Sequence, residues 1–152
     1  MMELLAPAAT GEAVVAAVQS GADAVYIPVG PGWTTEEDLQ KALRYCRVRD
    51  CRVYVSFPSL YPEPALTEQL LLAERAVRWG ADAFLVQDLG LARALGKMLP
   101  ELPLCAAPEL DVHDLPGVLA LHALGFSKIF LAPELSLADI RQIAAESSAE
   151  TA

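Results

Sequence analysis

VQSGADAVYIPVG (residues 18–30), VRWGADAFLVQDLG (77–90) and LHALGFSKIFLAPELS (121–136) share one pattern: a helix end, a glycine, then a strand. Gly21, Gly80 and Gly125 fall where the last helical turn gives way to a residue at positive φ, which glycine adopts without a Cβ clash. The apolar run after each glycine is short and nearly continuous, as in a strand buried on both faces. The tetrapeptide Gly-Ala-Asp-Ala stands at 21–24 and again at 80–83. A fainter copy runs through Cys51-Arg52-Val53-Tyr54-Val55-Ser56, with Asp50 in the glycine's place.

Extending this pattern outward predicts strands over 4–7, 24–28, 52–57, 83–87, 104–107 and 128–132. Helices are expected over 11–20, 35–48, 65–79, 91–98, 115–124 and 137–145. Thr34-Thr35-Glu36-Glu37 reads as a helix start with an acidic first turn, Asp114 as a cap before Leu115-Pro116, and Ser136 as a cap with Asp139 three residues on. In the third helix Leu66, Leu70, Ala73 and Val77 form one stripe at spacings of three and four.

Strict alternation of strand and helix calls for a parallel sheet, because parallel neighbours need a crossover connection. Ala6-Pro7-Ala8-Ala9-Thr10-Gly11 follows the first strand, with no Gly-x-Gly-x-x-Gly, so a dinucleotide-binding sheet is disfavoured against a barrel. The expectation is an α/β, TIM-barrel-like fold of about six βα units, with parallel strands inside and helices outside. Six units leave the barrel incomplete, since closure takes eight strands and about 250 residues and this chain has 152. Residues 1–145 are read as a partial barrel domain and 146–152 (ESSAETA) as a disordered polar tail that adds no strand.

The composition is that of a globular core: 54% hydrophobic and 20% charged, with mean hydropathy +0.34. A formal charge of -9 repels phosphate backbones, so nucleic-acid binding by this chain alone is not expected. No apolar run reaches the roughly 20 residues that cross a bilayer. Residues 1–7 carry neither the basic start nor the long apolar run of a secretory signal, and Cys46, Cys51 and Cys105 are an odd number. A reducing, cytoplasmic compartment with buried free thiols follows.

Leu4-Leu5-Ala6-Pro7-Ala8 followed by Gly21-Ala22-Asp23-Ala24-Val25-Tyr26 resembles the opening of the collagenase-like peptidase family, U-32 in peptidase classifications. Val86-Gln87-Asp88-Leu89-Gly90, Leu99-Pro100-Glu101-Leu102-Pro103, Val112-His113-Asp114 and Leu131-Ala132-Pro133-Glu134-Leu135-Ser136-Leu137 follow in that family's order. The resemblance implies a TIM-like barrel. Some members are described as peptidases, others as oxygen-independent hydroxylases of RNA bases or of ubiquinone precursors. It also implies that the iron–sulfur cysteines of the hydroxylases, where present, would lie beyond this chain's end, leaving no cofactor in the chain itself.

The chain departs from the family's pattern at several strand ends, where barrel enzymes place their chemistry. Phe57-Pro58 stands for the usual Val-Asn, Ala107-Pro108-Glu109 for a Ser-x-Gln pattern, and Pro133 for the arginine before Glu134-Leu135-Ser136. The Arg-containing segment after the second strand is replaced by Val29-Gly30-Pro31-Gly32-Trp33. Proline supplies neither donor nor charge at these points.

Glu109, Asp111, His113 and Glu134 are expected to cluster at one rim, with Asp88 on a neighbouring strand end. Such carboxylates and an imidazole can do acid–base work or hold a divalent ion, although loop hydrogen bonding and helix capping explain them as well. Glu109, His113 and Glu134 are the candidate catalytic residues, and Gln87, Asp88, Asp111 and Ser56 the candidate ligand-binding ones. No metal site is expected, because His-Glu-x-x-His is absent and His122 lies on an apolar helical segment where it should pack. Gly-x-Ser-x-Gly is absent too. The cysteines lack Cys-x-x-Cys spacing, and three thiolates fall short of a four-ligand cluster. Asp23 and Asp82 are assigned to turns at the barrel's bottom. Trp33 and the run from Phe57 to Pro62 are assigned to top-side loops.

These readings converge on a divergent barrel domain of the family, truncated or catalytically impaired, that is expected to bind a small molecule or peptide at its rim. Two alternatives stay open: a noncatalytic assembly module, and part of an oxygen-independent hydroxylase. The open sheet edges call for cover, by a homodimer or by a missing C-terminal region.

Overall fold

The computed structural model describes residues 3–30, 32–147 and 149–152. The elements are β1 (Leu5–Pro7), α1 (Gly11–Gln19), β2 (Ala24–Pro28), α2 (Glu36–Arg47), β3 (Arg52–Phe57), α3 (Glu63–Trp79), β4 (Ala83–Val86), α4 (Leu89–Met98), β5 (Leu104–Ala106), a 3-10 turn (Pro108–Leu110), α5 (Leu115–Ala123), β6 (Lys128–Ile129), α6 (Leu137–Glu146) and β7 (Glu150–Thr151). The seven strands are parallel and ordered β1 to β7. Neighbours in space are neighbours in sequence, which is the winding of a barrel wall and not of a doubly wound sheet. The wall is incomplete: β1 and β7 are its two edges.

The count of seven corrects the expected six, and the correction lies in the polar tail. Glu146 completes α6, and Glu150–Thr151 pairs with Lys128–Ile129 in parallel; Ser148 falls outside the described residues. The tail orders because β6 would otherwise expose an unpaired edge. Leu131 N–H donates to the Ala152 carbonyl at 2.8 Å, Ala152 N–H donates to that of Ile129 at 2.9 Å, and Ala149 is buried in the core. A two-residue edge strand needs little apolar content, so composition does not reveal it.

The recurring glycines do what their placement predicts: Gly21, Gly80 and Gly125 have φ of 89°, 106° and 102°. Asp50, in the glycine's place in the fourth copy, takes a left-handed φ of 56°. The residue two after each of the three glycines ties its own strand's entry to the preceding strand. Asp23, Asp82 and Ser127 donate their N–H groups to the carbonyls of Leu4, Val53 and Leu104 at 3.0, 2.9 and 2.9 Å. The carboxylates of Asp23 and Asp82 then accept from the N–H groups of Leu4 and Val53, each at 2.7 Å. The Ser127 hydroxyl donates to the Leu104 carbonyl at 3.1 Å. We therefore expect Asp82→Ala to cost about 1–2 kcal/mol in urea unfolding, and Asp82→Asn, which keeps an acceptor, to cost less.

Helix starts follow the capping expectations. Thr35 and Asp114 accept from Asp38 N–H and Gly117 N–H, and Ser136 with Asp139 forms a reciprocal capping box. Two helices start two residues earlier than predicted, α3 behind Pro62 and α4 behind Asp88. His122 does not pack into the apolar face of α5 as expected; it is exposed, with Nδ1 3.1 Å from the Phe126 carbonyl just beyond the helix end.

Alternation along the strands sorts the core into two layers. Val53, Val55, Phe57, Phe84 and Val86 pack outward against the helices in the main cluster. Ala24, Tyr54, Ala83, Leu85, Cys105 and Ala107, flanked by Leu5, Tyr26 and Phe130, form a smaller cluster on the concave face. Below that cluster, Lys128 from β6 meets Glu3, Tyr54 and Glu150 across the concavity. Among the described residues, no helix is long and apolar enough to cross a membrane.

Candidate functional site

Proline closes the strands at the mouth of the wall. Pro7 and Pro28 are the last residues of β1 and β2, while Pro58, Pro108 and Pro133 stand shortly beyond β3, β5 and β6. A proline has no N–H, so this collar offers no backbone donors at those five positions. Within it lies a cavity of about 280 Å³, walled by Tyr26, Trp33, Phe130, Leu5, Leu85 and the prolines at 7, 28, 58 and 108. Ser56 and Glu109 add a hydroxyl and a carboxylate to the Tyr26 hydroxyl and the Trp33 indole N–H, and no lysine or arginine lines it. Ser56 is 6% exposed, and its hydroxyl makes no hydrogen bond among the described residues. Trp33 is half exposed and forms part of the wall.

The structure brings together two of the residues proposed from sequence, Ser56 and Glu109, and separates the rest. His113 lies in a different cleft, between α5 and α6 and beside Asp114, Asp139 and Gln142, with Nδ1 2.9 Å from the Asp111 carbonyl. Asp111 closes the 3-10 turn in a left-handed conformation, φ 51°. Glu134 is exposed and lines neither the mouth cavity nor the His113 cleft. Glu109 and His113 therefore line separate cavities, and Asp111 and Glu134 line neither of them. Asp88 is committed to the backbone: it caps α4 by accepting from Leu91 N–H at 2.9 Å and holds Tyr61 N–H at 2.8 Å. Gln87 is half buried just past β4 and does not line the mouth cavity.

Sequence reading missed Tyr26, Phe130 and Leu85 as lining residues. The signal was present in the period of two, which turns each of them to the concave face once alternate strand residues are assigned to the helices.

The hollow at the opposite, N-terminal end of the strands is wider, about 430 Å³, but Arg52, Tyr54, Lys128 and Glu150 around it are already engaged with Glu3 or one another. An iron–sulfur cluster does not fit the cysteines of this chain. Cys46 and Cys51 pack in the helix-side layer, whereas Cys105 sits on the concave face. Burial pushes the Cys46 thiol up to about 12, with Cys51 adding to the rise, and burial pushes Cys105 up to about 12 as well, so both stay protonated at neutral pH. Among the described residues, no three His, Cys, Asp or Glu side chains form a metal-binding group.

Comparison with known proteins agrees with the barrel wall. The model of peptidase family U32 matches residues 9–152. The chain is 30% identical over 149 residues to "23S rRNA 5-hydroxycytidine C2501 synthase" of Escherichia coli, covering 93% of this chain and 22% of that protein. It is 27% identical over 154 residues to "tRNA hydroxylation protein P" of Helicobacter pylori, covering 93% of this chain and 36% of that protein. It thus spans well under half the length of these relatives. A solved U32 peptidase shares the fold at a TM-score of 0.80 and 17% identity, over 99% of this chain and 67% of its own. A family match across nearly all of the chain, on a parallel barrel wall of the same shape, shows that this chain belongs to peptidase family U32.

Proposed function

We propose that this chain is the base-holding barrel wall of an RNA-modifying protein, on the hydroxylase side of the family and not the peptidase side. The observation that carries this reading is the mouth cavity. Its walls are aromatic and apolar, as an unstacked base requires, and its few polar groups suit a base edge. Its relatives by sequence are named for rRNA and tRNA hydroxylation, which supports the same reading.

The peptidase alternative finds less support. Ser56 has no histidine beside it, and His113 lines another cleft. The proline collar offers no N–H at those strand ends to stabilise an oxyanion. On the present reading the sugar–phosphate backbone is held by parts of the protein outside this stretch, since a chain of charge -9 repels it. Any iron–sulfur centre is assigned to residues outside it too. The edges of β1 and β7 take either further strands of a longer chain or a second copy. An RNA substrate and buried free thiols agree with a cytoplasmic setting.

Titration with neutral nucleosides, followed by the fluorescence of Trp33, tests the proposal. Quenching is expected, and Trp33→Ala, followed by calorimetry because it lacks the reporter, should weaken binding about tenfold, the scale of one lost stacking contact. A nucleoside 5′-monophosphate should bind more weakly than its nucleoside, with the gap narrowing as salt is added. No binding of any nucleoside, or cleavage of a peptide by the chain, would contradict the reading.

A further inference from the structure

We propose that Glu109 makes the mouth cavity selective for bases whose Watson–Crick edge sets an exocyclic amino group beside a ring-nitrogen acceptor, cytosine and adenine, over uracil. The inference rests on the base-holding reading above and adds what the site reads on the base.

The lining holds few groups that can sense a base edge. The collar prolines have no N–H, and no lysine or arginine lines the cavity. That leaves three side chains able to donate, the buried Ser56 hydroxyl, the Tyr26 hydroxyl and the Trp33 indole N–H, and one anionic group, the Glu109 carboxylate, which only accepts when ionised. Asp88, a carboxylate on a neighbouring strand end, has its oxygens occupied by the N–H groups of Leu91 and Tyr61 and does not compete. Glu109 is held in place by a short turn: Pro108 starts it, and Asp111, at φ 51°, ends it by donating its N–H to the Pro108 carbonyl at 2.9 Å.

A carboxylate facing a base edge favours an amino N–H, the pairing by which acidic side chains read cytosine. In cytosine and adenine the amino group has a ring nitrogen acceptor next to it, within reach of a hydroxyl donor such as Ser56. In uracil the single edge donor, N3–H, lies between two carbonyls. A carboxylate approaching that donor meets a partial negative charge on either side. Discrimination of about tenfold or more is the scale of one good edge contact.

Calorimetric titration with cytidine, adenosine and uridine, on the 152-residue chain and on Glu109→Gln, decides the matter. Cytidine and adenosine are expected to bind at least about tenfold tighter than uridine. In Glu109→Gln, whose amide can donate as well as accept, the ratio should fall to about twofold, with the thermal midpoint unchanged because Glu109 is exposed. Ser56→Ala should weaken all three nucleosides while keeping cytidine ahead of uridine. Equal binding of the three nucleosides, or a preference that survives Glu109→Gln, would overturn the selectivity while leaving the base-holding reading intact. Failure of every nucleoside to bind would overturn that reading, and the selectivity with it.

Discussion

Lys128→Met is expected to destabilise the protein by about 3–5 kcal/mol, the scale for removing one partner of a buried ion pair. For a chain of this length that corresponds to a fall of roughly 10 °C in Tm. The Lys128 side chain is 8% exposed and that of Glu3 12%. Without the ammonium, Glu3 keeps, among the described residues, Arg52 at 2.7 Å and the Tyr54 hydroxyl at 3.0 Å. The contact to Glu150, whose side chain is 63% exposed, adds little. Glu3 precedes β1 and Lys128 belongs to β6, so this pair spans the concave face and holds the curl of the wall.

The loss should depend on pH with a definite sign. Burial alone raises the Glu3 pKa, but hydrogen bonds from Lys128 and Tyr54 and the charges of Lys128 and Arg52 outweigh it, leaving Glu3 below its ordinary 4.5. A depressed folded-state pKa stabilises above the unfolded value and loses that contribution as pH falls through the folded one. Burial alone lowers the Lys128 pKa, yet its hydrogen bonds to Glu150, Glu3 and Tyr54 raise it above the ordinary 10.5. That contribution is complete below 10.5 and is lost as pH rises through the raised value. The difference between wild type and Lys128→Met should therefore be full between about pH 4.5 and 10.5 and shrink on either side. Urea unfolding across that range measures it, and a constant difference down to pH 2 would contradict the assignment.

Phe84→Ala should cost a comparable 3–5 kcal/mol, about the range for emptying an aromatic core site. Phe84 is fully buried on β4, in the middle of the wall, with its ring edge-on to Phe57 at 5.5 Å between centroids and 75° between planes. The substitution removes the transfer free energy of the ring and leaves a cavity between sheet and helices. Phe84→Leu, which keeps most of the volume, should cost about 1.5 kcal/mol or less. A cost near zero for Phe84→Ala would mean that the helix layer does not pack on β4.

The barrel wall was legible because its signals are local. A glycine at 21, 80 and 125 forces the helix to end, and the apolar run after it has to be a strand. The repeat of that unit in one order leaves little topological choice. The tail was not legible, because β7 exists through backbone pairing with β6 and one ion pair to Lys128, neither of which leaves an apolar pattern. The candidate site was legible in part. Ser56 and Glu109 lie near the ends of their strands, so position along the chain was enough to bring them to the mouth. Asp88 stands at its strand end as expected, but its carboxylate is spent on the α4 cap and Tyr61 N–H, and His113 lines another cleft; which partners such side chains find depends on local backbone angles that residue type does not encode.

The central claim is that this wall holds an RNA base for modification. Mass spectrometry of nucleosides digested from the RNA of source cells, with and without the encoding gene, tests it most directly. The account predicts that one nucleoside heavier by a single oxygen disappears with the gene, returns with the wild-type protein, and does not return with Trp33→Ala. An unchanged nucleoside profile would contradict it.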